Sequence, residues 1–150
     1  MEKLEAYFAA GGSLRELFGV DAQTLGKLYG YACRRYDAGD IEGARQIYFA
    51  LLAVDPASFP YWLAAGLCYQ HLQRHDEAIY CFSRSAQLRL VDPRSSYLIG
   101  VSFQLLGEAT RARAAYISAI QWCGRHAEHR VLRAQAEKAL EALKEGDLHG

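Results

Sequence analysis

Apolar and polar residues along this chain recur with the step of an amphipathic helix, and strand-like alternation is hard to find. The stretches so patterned predict helices near 22–38, 41–54, 60–72, 77–89, 93–106, 108–122 and 128–144. Chain punctuation agrees with these limits. Asp21, Asp40, Ser58 and Asp76 stand where a side-chain oxygen can cap the first free amides of a helix. Asp55-Pro56 stops one helix, because the residue before a proline is driven out of the helical region. Asp92-Pro93 opens another, since a proline fits the first helical turn. The stretch Leu90 to Asp92 reads as extra, so the connection there is expected to be slightly irregular. In the last helix, Val131, Leu132, Ala136, Ala139, Leu140 and Leu143 share one side against Arg, Glu, Lys and Gln on the other. Near the start, Leu4, Tyr7 and Phe8 precede Gly11-Gly12, and Leu14 and Leu17 precede Gly19, which predicts two short helical pieces around a joint.

The pattern repeats. Ala32, Gly66 and Gly100 stand 34 residues apart; so do Ala44, Ala78 and Ala112, and so do Tyr48, Phe82 and Tyr116. A period of 34 residues, each unit two antiparallel helices, is the tetratricopeptide pattern. The small residue of the first helix is expected to face the Ala of the second, so that the two helices approach closely. The aromatic row then fills the space toward the next unit. A single unit cannot bury its apolar face, so units stack. The fold class is therefore all-α: three tandem tetratricopeptide repeats forming an α-solenoid, with a short N-terminal helical segment and a C-terminal capping helix. The expected division is 1–20 for the N-terminal segment, 21–125 for the repeats (about 25–58, 59–92 and 93–126), 127–145 for the cap and 146–150 for a disordered tail.

Composition narrows the function more than the fold. The 150 residues suit one domain, able to bury about 68–70% of its surface without metal or disulfide. Lys+Arg and Asp+Glu are both 17, so the chain lacks the basic excess that drives nucleic-acid affinity, and no direct nucleic-acid contact is expected. Near-zero charge gives little electrostatic solubility, which suits a protein held in a complex or a dimer. The longest apolar run, Ile47 to Val54, falls far short of the ~20 residues of a membrane span. No signal peptide is read at the start, and Cys33, Cys68, Cys81 and Cys123 form no C-x-x-C pair, so reduced, mostly buried thiols in a reducing cytosol are expected.

No nucleophile–base pairing or phosphate-binding glycine loop appears, and the chain is not read as an enzyme. His71 and His75 lie four apart, but no ligand set completes a metal site, and they read as a surface turn. Cys123, His126 and His129 also read as a loop without a physiological metal. No cofactor or metal is expected.

What remains is the concave face. The inner helices of the three repeats offer Tyr29, Cys33 and Tyr36; then Leu63, Leu67, Gln70 and His71; then Tyr97, Val101 and Gln104. These sets are built on steps of four and three, which place side chains on one helical stripe. They are aromatic and aliphatic with a few amides. A groove that grips an acidic chain terminus needs inward Lys, Arg and Asn. This one suits an extended segment with apolar anchors flanked by prolines. The competing reading, strongest for Cys33 and Val101, is that these side chains are simply repeat core.

The flanks add specificity. Gly11-Gly12-Ser13-Leu14-Arg15-Glu16-Leu17-Phe18-Gly19-Val20 leads into Leu28-Tyr29-Gly30-Tyr31-Ala32, followed by Tyr36-Asp37-Ala38-Gly39-Asp40, Leu52-Ala53-Val54-Asp55-Pro56, Tyr61-Trp62-Leu63 and Leu67-Cys68-Tyr69-Gln70. From about residue 4 to residue 143 the chain resembles the class II chaperones of bacterial type III secretion systems, the SycD/LcrH/IpgC/SicA group. The resemblance implies a chaperone that keeps hydrophobic, pore-forming translocators apart and secretion-competent, with a translocator segment of the form Pro-x-Leu-x-x-Pro in the groove. Matching pocket positions are Tyr29, Cys33, Tyr36, Leu63, Leu67 and Gln70; Cys33 replaces a larger aromatic often found there. The resemblance also implies a homodimer through the N-terminal segment, with Leu4, Tyr7, Phe8, Leu14 and Leu17 as candidate contacts. A transcription regulator is a further partner of some relatives. Two alternatives stay open: a tetratricopeptide scaffold for a larger assembly, and a transcriptional co-regulator responding to free translocator.

Overall fold

In a computed structural model of the chain, the described residues are Ala6, Ala10 and 19–149, with side chains described as far as Gly146. Seven α-helices follow: α1 Ala22–Asp37, α2 Ile41–Val54, α3 Phe59–His71, α4 His75–Leu88, α5 Pro93–Leu105, α6 Ala109–Cys123 and α7 Arg130–His149. A 3-10 turn, Ala127–His129, leads into α7. No strand occurs among the described residues. Each helix packs chiefly on its neighbours in sequence, and α7 lies on α6 with an edge against α5. This is the all-α architecture of stacked helical hairpins that the 34-residue period predicts.

The period is kept by the turns as much as by the core. The α1–α2, α3–α4 and α5–α6 turns place Gly39, Gln73 and Gly107 at φ of 90°, 62° and 79°. In each, the next amide reaches back five residues: Asp40 to the Arg35 carbonyl, Arg74 to Tyr69 and Glu108 to Phe103, all at 2.9 Å. These are Schellman turns, which satisfy the last carbonyls of the first helix. The second helices then start one residue later in every repeat, at N-caps Asp40, Arg74 and Glu108.

Three of the expected caps are made by side chains. Asp21 accepts from the Thr24 amide at 2.7 Å, Asp40 from Gly43 at 3.0 Å and Ser58 from Tyr61 at 3.4 Å. Asp76 is not a cap. Arg74 occupies that position without a side-chain bond, and Asp76 and Glu77 fall in the first turn, where negative charge still suits the positive end of the helix dipole. The α4–α5 connection is also regular rather than irregular: Ser58 and Asp92, the N-caps of α3 and α5, stand one period apart.

The glycines of the small-residue row stand directly against the aromatic row. A methyl at Gly66 would enter the ring of Phe82, and one at Gly100 would sit 2.6 Å from Tyr116 Cε1. The bulk removed from the inner helices makes room for the aromatic row of the outer ones. Tyr48, Phe82 and Tyr116 are at most 3% exposed as a result. Each such side chain contributes roughly 1.5–3 kcal/mol by leaving water. Buried polar atoms are paired throughout. Ser85 donates to the Phe82 carbonyl at 2.7 Å, so the Ser95 hydroxyl, 2.7 Å away, donates to Ser85. Among the described residues no buried side-chain nitrogen or oxygen lacks a partner.

The last helix docks through Ala136, which is fully buried, with Leu132, Ala139, Leu140 and Leu143 half-buried beside it. Val131, expected on that side, lies in the first turn of the helix and is 69% exposed. The helix runs on through His149, so 146–149 are helical rather than a tail. Gly146 costs a helix only about 1 kcal/mol, and no proline or capping Asn intervenes to stop it.

Candidate binding groove

The three inner helices α1, α3 and α5 supply the candidate residues. Tyr29, Cys33, Tyr36 and Leu67 come together around one cavity of about 170 Å³, joined by Asp37, Tyr48 and Ala64. Tyr29 leans on Tyr48 and Tyr61, with ring centroids 5.8 and 5.6 Å apart. The Tyr48 hydroxyl donates to Cys33 Sγ at 3.2 Å. The His71 ring meets Tyr36 edge-on at 5.8 Å.

These contacts set the chemistry of the hollow. Burial, then the neighbouring Cys33, pushes the Tyr29 and Tyr48 phenols above their ordinary range. Tyr36 moves the same way, through burial and then Cys68 and Asp37. All three stay neutral near pH 7. The cavity therefore offers ring faces, an aliphatic floor at Ala64 and Leu67, and hydroxyls able to bond a passing backbone. It can hold an apolar side chain and orient the chain carrying it.

Not every expected residue shares this cavity. Leu63 is only 8% exposed and belongs to the core; Ala64 occupies the groove stripe in its place. Leu63 and Ala64 both stand about one helical turn before Leu67, and the groove side of that turn falls on Ala64 while Leu63 faces the core. Gln70 is half-buried and bridges the inner helices, its Nε2 donating to the Leu98 carbonyl at 3.1 Å and Ser102 Oγ at 2.8 Å. With His71, Gln73, His75 and Leu105 it lines a second, more polar cavity of about 460 Å³. On α5, Tyr97 tilts over Tyr116 at 5.8 Å, Gln104 accepts from the Tyr116 hydroxyl at 2.6 Å, and Val101 is half-buried. Leu4, Tyr7, Phe8, Leu14 and Leu17 lie outside the described residues.

Two features went unread in the sequence. The Tyr48 ring, expected to fill the space toward the next repeat, also closes the cavity; its signal is the row of three aromatics one period apart. The other is an apolar hollow of about 450 Å³ between α1 and α2, lined by Val20, Leu25, Leu28, Ile47, Leu51 and Val54 among others. No described helix is long and apolar enough to cross a membrane, and no described group of three or more His, Cys, Asp or Glu could hold a metal ion.

Known proteins share this arrangement. A tetratricopeptide-repeat family model matches residues 26–54. A type III secretion complex from Aeromonas hydrophila contains a chain 30% identical, with a TM-score of 0.92 and 98% of both chains covered. The type III secretion chaperone SycD of Yersinia enterocolitica, crystallised with a peptide of the translocator YopD, is 26% identical, with a TM-score of 0.81, covering 85% of this chain and 98% of that one. SycD has also been crystallised as an alternative dimer. Low calcium response locus protein H of Yersinia pestis is 26% identical over 141 residues, 94% of this chain and 84% of that protein.

Proposed function

Since this chain belongs to the translocator chaperones of type III secretion systems, we propose that it shelters a hydrophobic translocator by seating an extended apolar segment of that protein in its concave groove. The observation that carries this reading is the tyrosine-rimmed cavity of Tyr29, Cys33, Tyr36, Tyr48 and Leu67, open on the inner face. The mechanism is physical. Membrane-destined segments aggregate in water, and covering one removes apolar surface from solvent without bond making or breaking. Release needs only a competing partner or mechanical unfolding, so moderate affinity suffices. The protein acts in the bacterial cytoplasm and is not an enzyme.

The segment is of the Pro-x-Leu-x-x-Pro kind, its aliphatic anchor in the cavity and its extended backbone along Tyr36 and His71. Leu63 acts from beneath, by supporting α3. Homodimer contact through Leu4, Tyr7, Phe8, Leu14 and Leu17 belongs to the same reading, and the hollow between α1 and α2 is the apolar surface such a contact would use.

Co-expression with a cognate translocator tests the proposal. The wild type should convert an insoluble translocator into a soluble complex. Leu67→Glu should abolish the complex while leaving the helical circular dichroism and the cooperative unfolding intact. A folded Leu67→Glu protein that still holds its client would place the binding surface elsewhere.

A further inference from the structure

Among the described residues, one charged side chain lines the cavity. Asp37 closes α1, is exposed to solvent, and stands beside Tyr36 and Leu67 at the rim. None of the ion pairs found among the described residues includes it. Three other acids near the first repeat have visible work: Asp21 and Asp40 cap helices, and Glu42 pairs with Arg45. Asp37 does nothing comparable for its own helix. It lies in the last turn, at the negative end of the helix dipole, where the cations Arg34 and Arg35 are the favourable residues. A carboxylate in the least favourable place on its helix, unpaired, at the edge of an otherwise neutral binding hollow, is accounted for by an incoming charge.

We infer that Asp37 is a specificity-determining residue of the groove, selecting translocator segments that carry a Lys or Arg beside the apolar anchor. This rests on the groove reading above and adds a rule for which segments bind best. The anchor enters the cavity, the aliphatic stem of the neighbouring cation lies along the Tyr36 ring, and its head meets the Asp37 carboxylate. Rim charges of this kind discriminate between partners and speed encounter more than they add to affinity.

Fluorescein-labelled Pro-x-Leu-x-x-Pro peptides, with each x in turn Ala, Lys or Glu, provide the probe. Their dissociation constants are measured by anisotropy for the wild type, Asp37→Asn, Asp37→Lys and Leu67→Glu. One Lys position should tighten wild-type binding about 3- to 5-fold over Ala, the scale of a partly exposed ion pair. The gain should vanish in Asp37→Asn, invert to favour Glu in Asp37→Lys, and shrink as salt is raised. Equal binding of the Ala and Lys peptides to the wild type, or a Lys gain that survives in Asp37→Asn, overturns the inference alone, provided Leu67→Glu still abolishes binding. Peptides that bind wild type and Leu67→Glu alike, or that bind neither, overturn the groove reading and this inference together.

Discussion

Gln73 occupies a position that the other two repeats give to glycine. Its φ of 62° is left-handed, like those of Gly39 and Gly107 one period away. A side chain there costs about 1–2 kcal/mol, partly offset because glycine is freer in the unfolded chain. Gln73→Gly should therefore raise unfolding stability by about 0.5–1 kcal/mol, read as an increased urea midpoint at unchanged slope. Helix glycines divide the other way. Gly66→Ala drives a methyl into the Phe82 ring and should cost about 1–3 kcal/mol, the scale of overpacking. Gly26→Ala, which meets nothing within 4 Å on the exposed face of α1, should instead stabilise by about 0.5–1 kcal/mol. The same denaturation series checks both, and equal effects at the two sites would contradict the close approach described for α3 and α4.

At the scale of elements, helix limits were legible because stops and caps are local chemistry. Ile41–Val54 follows from Asp40 and Asp55-Pro56. Rotational phase was harder. In α1 and α4 the polar face is plain, and Tyr29, Cys33 and Tyr36 could be put on one stripe. In α3, Phe59, Tyr61, Leu63, Ala65, Gly66, Cys68 and Tyr69 are all buried, so the helix is apolar nearly all round and its sequence holds no phase. A stripe through Leu67 can run on to Leu63 or to Ala64, and only packing decides that Leu63 goes to the core. The close approach of Gly66 to Phe82 was hidden for a related reason: a period shows which residues correspond, not which one touches which. The cap helix gives a sharper expectation. Ala136 is fully buried where α7 lies on α6, and Arg133 ties the preceding loop by donating to the Gly124 carbonyl. Ala136→Glu should cost about 2–4 kcal/mol, through an uncompensated carboxylate in that seam, and show as a lowered midpoint in chemical denaturation.

For the molecule as a whole, alkaline pH probes the core. Burial pushes the Cys68 and Cys81 thiols up to about 12, with Arg45 opposing at Cys68 and Glu77 assisting at Cys81. An unfolded thiol ionises near pH 8.5, so the folded state retains its protons where the unfolded state loses them. Stability from these groups is complete below about pH 8.5 and declines as pH rises toward 12. Thermal midpoints taken with reductant should be level from pH 7 to 8.5 and then fall. Replacing both cysteines by Ala should lower the plateau and flatten the descent. Tyr116, likewise raised to about 12 by burial, then Tyr97, keeps part of the slope.

Gln70 ties the inner helices with both protons of a single amide, one on the Leu98 carbonyl and one on the Ser102 hydroxyl. Any guest stout enough to splay α3 from α5 must first unseat both, each hydrogen bond being worth about 0.5–1.5 kcal/mol. On the groove reading proposed above, slender chains would enter at no mechanical cost, while a coiled or bulky one would meet a latch.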